Sequence, residues 1–168
     1  MFQRDEYVFY ESGGICRISD IQMSPLEGMP ADREYYVMQS IHDRNGVMYI
    51  PVDNDKVFLR RLLNREEAEA LILQIPSVDA IQEPNAKLLR TKYQEAMHTH
   101  EPLEWVRVIK TVYLRTSGDA YRAQRLSETE RSMSDTAKRY LYTELALALG
   151  REASEMEAYI TDQIEKMA

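Results

Sequence analysis

The chain carries a single cysteine, Cys16, among its 168 residues. One thiol forms no internal disulfide, which excludes the disulfide-stapled secreted scaffolds and fits a reducing compartment. Glycine and proline number six each, too few for a collagen-like or low-complexity chain. With 44% hydrophobic and 29% charged residues, wholesale disorder is excluded as well. No apolar run approaches the roughly 20 residues that cross a bilayer. The opening Met1-Phe2-Gln3-Arg4-Asp5-Glu6 is too polar and too acidic for a secretory signal. Basic charge is also short: 21 Lys and Arg against 28 Asp and Glu leave a net −7, which argues against a protein that coats nucleic acid nonspecifically.

Catalytic signatures are missing too. Ser12-Gly13-Gly14 lacks the Gly-Lys-Ser/Thr and the helix start of a phosphate loop, so it reads as a tight turn between strands. His98 and His100, two apart on a helix, point to nearly opposite sides and read as solvent-facing. Cys16 lies in a strand pattern and reads as a small buried hydrophobe. The carboxylates are scattered along helix faces, and most of the nine methionines fall on apolar stripes or strands. These patterns predict neither an enzyme nor a bound cofactor or metal.

What is there divides into two halves. Strand texture fills the first. Tyr7-Val8-Phe9-Tyr10 is β-prone, Ile15, Ile18 and Ile21 anchor a second run, and Tyr35-Tyr36-Val37-Met38 and Val47-Met48-Tyr49-Ile50-Pro51-Val52 follow. Prolines 25 and 30 with Gly28 make the intervening stretch a loop. Asn45-Gly46 predicts a hairpin turn, because both residues tolerate positive φ. The expectation is a small antiparallel sheet or barrel over residues 1–55.

The remainder, residues 56–168, has helical periodicity. Asn64 with Glu67 forms a capping box ahead of Ala68, Leu71, Ile72 and Ile75, and Pro76 stops that helix. A second helix spans about Asn85 to Met97, and Pro102 suits the first turn of a third. Ser127-Glu128-Thr129-Glu130 predicts a second capping box, and Gly150 a helix end. About five helices after the strands make an α+β chain.

Charge is uneven along this chain. Between Pro84 and Arg125, eight basic residues (Lys87, Arg90, Lys92, Arg107, Lys110, Arg115, Arg122 and Arg125) face four acidic ones, so this stretch is positive inside an acidic protein. Such a stretch points weakly to a polyanion-facing surface. Solvated outer helix faces with pairs such as Arg107–Glu104 are the plainer explanation. Trp105 falls on the apolar stripe of its helix and reads as core.

These residues carry a resemblance. Tyr10 and Gly14 with Ile18 and Ile21, then Tyr35-Tyr36-Val37-Met38, then Ile50-Pro51-Val52-Asp53-Asn54 resemble the opening domain of the CarD/CdnL family of bacterial transcription regulators. The late helices agree through Leu126-Ser127-Glu128-Thr129-Glu130-Arg131, Ala137 and Leu141-Tyr142-Thr143-Glu144-Leu145-Ala146-Leu147-Ala148. The same front module occurs in the transcription-repair coupling factor.

The resemblance implies a Tudor-like antiparallel β-barrel that docks on the RNA polymerase β subunit by strand addition, followed by an all-helical domain near upstream promoter DNA. It also implies a cytoplasmic, monomeric protein brought to the nucleoid by polymerase. On this basis the docking residues are Ile21, Gln22, Met23 and Ser24 with Val47, Met48, Tyr49 and Ile50. The DNA-contacting candidates are Asn85, Lys87, Arg90, Lys92 and Lys110.

Typical members carry Asn-Trp followed by basic residues at the start of the second helical element, and the Trp acts as a minor-groove wedge. Here Asn85 matches, but Ala86 stands at the Trp position and Leu88 and Leu89 stand where arginines are usual. Glu11 replaces the usual proline, and the loop Thr116–Arg125 is longer than the family's. The alternative is a divergent polymerase-binding or other protein–protein adaptor without a DNA wedge.

Overall fold

The computed structural model describes residues 1–117 and 126–166. They divide into two compact units, Met1–Leu62 and Leu63–Ala168. The first is a five-stranded antiparallel sheet with strands β1 (Tyr7–Tyr10), β2 (Gly14–Met23), β3 (Glu34–Ser40), β4 (Val47–Pro51) and β5 (Leu59–Arg61) in the order β4-β3-β2-β1-β5. The second holds α1 (Arg65–Gln74), a 3₁₀ turn (Ile75–Ser77), α2 (Ala86–His98), α3 (Pro102–Thr116), α4 (Glu128–Leu149) and α5 (Ala153–Glu165). No described helix is long and apolar enough to cross a membrane.

The expected barrel is not closed. β4 and β5 are the two ends of the strand order, and no ladder joins them among the described residues. β5 is the strand that the sequence reading lacked. It pairs with β1 through Val8↔Arg61, Phe9↔Arg60 and Tyr10↔Leu59, so the sheet unit extends past residue 55.

The isoleucines of β2 are spaced by three, which an uninterrupted strand cannot place on one face. A bulge between Ile18 and Asp20 resolves this by inserting Ser19, whose hydroxyl donates to Val37 O at 3.1 Å. Ile18 and Ile21 thereby both face the core formed by Val8, Cys16, Tyr36, Met38 and Ile50. Met48, half-buried, packs against the same cluster.

The β1–β2 turn is tight, as read: Gly14 has φ +70°, and a Cβ on Gly13 would meet Tyr10 Cδ1 at 3.0 Å and Met48 Sδ at 3.1 Å. The Asn-Gly turn departs from expectation. Neither Asn45 nor Gly46 has positive φ. The loop is wider, held by Gln39 Nε2 donating to Arg44 O at 2.7 Å and by Asn45 N donating to Asp43 Oδ1 at 3.0 Å.

In the helical unit the local signals hold. Asn64 and Glu67 form the reciprocal capping box, Pro102 opens α3, and Gly150 ends α4 in the left-handed region. At α4 only half of the box forms. Ser127 accepts from Glu130 N, but the Glu130 carboxylate turns to Arg115 (3.1 Å) and accepts from the Tyr93 hydroxyl at 3.4 Å, tying α2 and α3 to α4. A half-buried ion pair outcompetes a solvent-exposed cap bond here. Trp105 is wholly buried, as expected, beside Tyr140.

Candidate functional site

The geometry of β4 follows from one hydrogen bond. Val52 N donates to Glu34 O at 3.0 Å, and the β3–β4 register runs Tyr35↔Pro51, Tyr36↔Ile50, Val37↔Tyr49, Met38↔Met48 and Gln39↔Val47. Backbone groups of an antiparallel strand alternate between its two sides. The residues in step with Val52, namely Ile50 and Met48, therefore bond to β3. Tyr49 and Val47 turn their N–H and C=O groups away from the sheet, and Pro51 turns only its C=O, which already accepts from Asn54 N at 3.0 Å. Proline is tolerated at such an outward position because no ladder bond is lost. Pro51 within a strand pattern was thus a sequence signal for an edge.

Side chains alternate in the other direction. Met48 and Ile50 belong to the core side, while Val47 (54% exposed), half-buried Tyr49 and half-buried Pro51 lie on the opposite face. The strand carries no charge. Through Val47 and Tyr49 it offers an unpaired, uncharged template for another strand, the kind of edge that soluble proteins otherwise blunt.

The second predicted docking segment is not on this edge. Ile21, Gln22, Met23 and Ser24 are separated from β4 by β3, through Ile21↔Tyr36, Gln22↔Tyr35 and Met23↔Glu34. Their backbone is partly committed: Ser24 N donates to Arg33 O at 2.9 Å, and Ile21 N donates to the Asp20 carboxylate at 2.9 Å. Ile21 packs on the core, whereas Gln22 and Met23 are exposed. The Asp20 carboxyl is held below the usual carboxylate range by Gln22, then by the Ile21 N–H, with Arg4 adding to this.

The DNA-contacting candidates separate sharply. Lys110 is a correction: it is 2% exposed, and its ammonium donates to Ile75 O (2.8 Å), Pro76 O (3.1 Å) and Val78 O (2.6 Å). Its task is to satisfy carbonyls released where Pro76 breaks α1, and burial pushes its pKa below the ordinary lysine value. Asn85 is the N-cap of α2, accepting from Lys87 N and Leu88 N. Lys92 pairs with Glu83 at 3.1 Å and donates to Gln82 O. Lys87 and Arg90 are exposed on α2 and make no ion pair among the described residues. Ala86, at the wedge position, is exposed and begins that helix.

The positive stretch is therefore partly neutralised: three of its eight basic residues, Lys92, Arg107 and Arg115, pair with carboxylates. Arg115 and Arg107 are engaged by Glu130 and Glu104, while Arg122 and Arg125 lie outside the described residues, as does most of the long loop. His98 is exposed and His100 half-buried. Among the described residues no group of three or more His, Cys, Asp and Glu is placed to hold a metal ion.

Comparison with protein families decides what kind of protein carries this edge. The CarD-like/TRCF RID domain matches residues 2–63, and the CarD C-terminal domain matches residues 70–161. The chain belongs to the CarD family. No individual curated protein matches it. Membership makes this a transcription-related chain of a non-enzymatic family whose members interact with RNA polymerase. In this CarD-family chain the matched front region coincides with the sheet unit that bears the open β4 edge, and the second match spans most of the helical unit.

Proposed function

We propose that this CarD-family protein regulates transcription by docking on the β subunit of RNA polymerase through β4, in the cytoplasm and as a monomer. The observation that carries this is the outward backbone of Val47 and Tyr49 on an uncharged edge strand, inside the region matched by the RID family. Strand addition supplies affinity through main-chain hydrogen bonds and selectivity through alternate side chains, here Val47, Tyr49 and Pro51. Gln22 and Met23 contribute from two strands away, on the far side of β3.

The helical unit is then held near upstream promoter DNA by polymerase rather than by its own affinity. With Lys110 buried and Lys92 paired, Lys87 and Arg90 are the phosphate-contacting residues of the proposed set, and they position without reading sequence. Alanine at position 86 offers too little apolar surface to act as a wedge.

Titration of the full chain against the polymerase β lobe tests the docking. Tyr49→Asp and Val47→Pro are expected to lower affinity tenfold or more while leaving the thermal midpoint within a few degrees of wild type. Unchanged affinity in both variants would sink the β4 assignment, and no binding by wild type would sink polymerase docking altogether. On a promoter complex, Lys87→Glu with Arg90→Glu removes protection of upstream DNA without releasing the protein from polymerase. Retained protection would remove DNA from the proposal.

A further inference from the structure

The helical unit has a groove of mixed apolar and charged lining that neither the sheet edge nor the α2 surface uses. It lies where α1 meets the α4–α5 junction, encloses about 260 Å³, and is lined by Ile72, Leu73, Leu149 and Tyr159 with Arg65 and Arg151 on its rim. Leu73 is 78% exposed, the most exposed leucine among the large apolar side chains, and Tyr159 is 37% exposed. Ile72, beside them, is buried at 4% and supplies a fixed floor. Gly150, with φ +66°, turns the chain between α4 and α5 so that Arg151 returns over the Tyr159 ring at 5.8 Å.

The rim is cationic in a protein whose net charge is −7. Arg65 donates to Leu149 O at 3.0 Å, which places a cation at the negative end of α4. The single carboxylate in the lining, Glu69, is 3.8 Å from Arg65, a long and exposed pairing, so two guanidinium groups against one carboxylate leave the lining net positive. Arg151 makes no ion pair among the described residues, and its stacking on Tyr159 holds the guanidinium at the mouth. Ile72, Leu73, Leu149 and Tyr159 beside a net-positive rim, with Arg151 as its cation unpaired among the described residues, match an apolar side chain next to a carboxylate.

We propose that this groove is a second protein-docking site, and that it takes an acidic, apolar peptide segment of a partner protein. The apolar side chain enters between Leu73 and Tyr159, and the neighbouring carboxylate meets Arg151. A chain that already holds polymerase through β4 would use this groove for a different polypeptide, so the site stands whether or not the β4 docking does.

The test uses the full-length, isotopically labelled protein and two acetylated, amidated pentapeptides, Asp-Leu-Phe-Asp-Glu and its charge-reversed form Lys-Leu-Phe-Lys-Lys. The acidic peptide is expected to shift the resonances of Leu73, Leu149, Arg151 and Tyr159 and to bind at least tenfold more tightly than the basic one. Leu73→Asp and Arg151→Glu, both at exposed positions, are expected to abolish those shifts while leaving the rest of the spectrum in place. Equal binding of the two peptides, or shifts confined to other surfaces, overturns the proposal. So does the absence of binding at millimolar peptide. A short single-stranded DNA that shifts the same resonances as strongly as the acidic peptide reassigns the arginines to a polyanion and likewise overturns it.

Discussion

β4 and β5 end the same sheet, yet β4 presents Val47 to Pro51 without a charge, while β5 is Leu59-Arg60-Arg61. β5 has three residues; Arg60 lies over the Phe9 ring at 5.1 Å and donates to Arg61 O, and Arg61 donates to Leu62 O. Shortness and cationic side chains are standard protections against unwanted pairing. β4 has none of them beyond Pro51, which denies one donor. Under the proposed docking, this asymmetry makes strand addition one-sided, because β4 is left open while β5 is protected.

The largest expected effect tests whether β4 is integral to the sheet or only laid upon it. Ile50 turns inward and is 7% exposed. Ile50→Ala is expected to cost about 2–5 kcal/mol in urea unfolding, through lost burial and the cavity left behind. A cost under about 0.5 kcal/mol would mean that β4 packs loosely, and the distinction between its inward and outward residues would fall.

That distinction was only partly legible in the sequence. The strand itself, its apolar content and the edge-marking Pro51 were all local signals, as were the Asn64 capping box, Pro102 and Gly150. β5 was not, because three residues with two arginines show no alternation; it is a strand only because β1 offers it a partner. The β2 bulge hid behind isoleucines spaced by three. Lys110 was misassigned for the same kind of reason. Its acceptors sit 32, 34 and 35 positions away in sequence, so nothing near it distinguished a buried cap from a phosphate contact. The arginine-rimmed groove likewise joins α1 to residues beyond α4, and neither end announces it.

A smaller effect is expected at the protected edge. Replacing both arginines, Arg60→Val with Arg61→Val, removes the charges and leaves a β-prone Leu-Val-Val. Sedimentation should then show concentration-dependent self-association absent from wild type. If the double variant stays monomeric at hundreds of micromolar, shortness rather than charge protects β5, and the contrast rests on length.

The smallest effect concerns a third stretch of backbone, β2 beyond Ile18, where the ladder with β1 has ended. There Asp20 occupies the Ile21 N–H with its own carboxylate. Because its folded pKa is depressed, the stability it contributes is present above the ordinary carboxylate pKa and is lost as pH falls toward the folded value. Asp20→Asn should therefore remove a small part of the acid-limb slope of the stability profile and leave polymerase affinity at neutral pH unchanged. An unaltered acid limb would show that Asp20 does not cover that edge in solution.

Cys16 gives the sheet a native clock. It is wholly buried, its thiol donates to Gly14 O at 3.5 Å, and burial pushes its pKa up to about 11. Only the thiolate reacts readily with alkylating reagents, so at pH 8 labelling waits for the sheet to open. The helical unit contains no cysteine. The labelling rate of the unaltered protein therefore times the opening of the sheet alone, and a strand added to β4 should slow it in proportion to how tightly it binds.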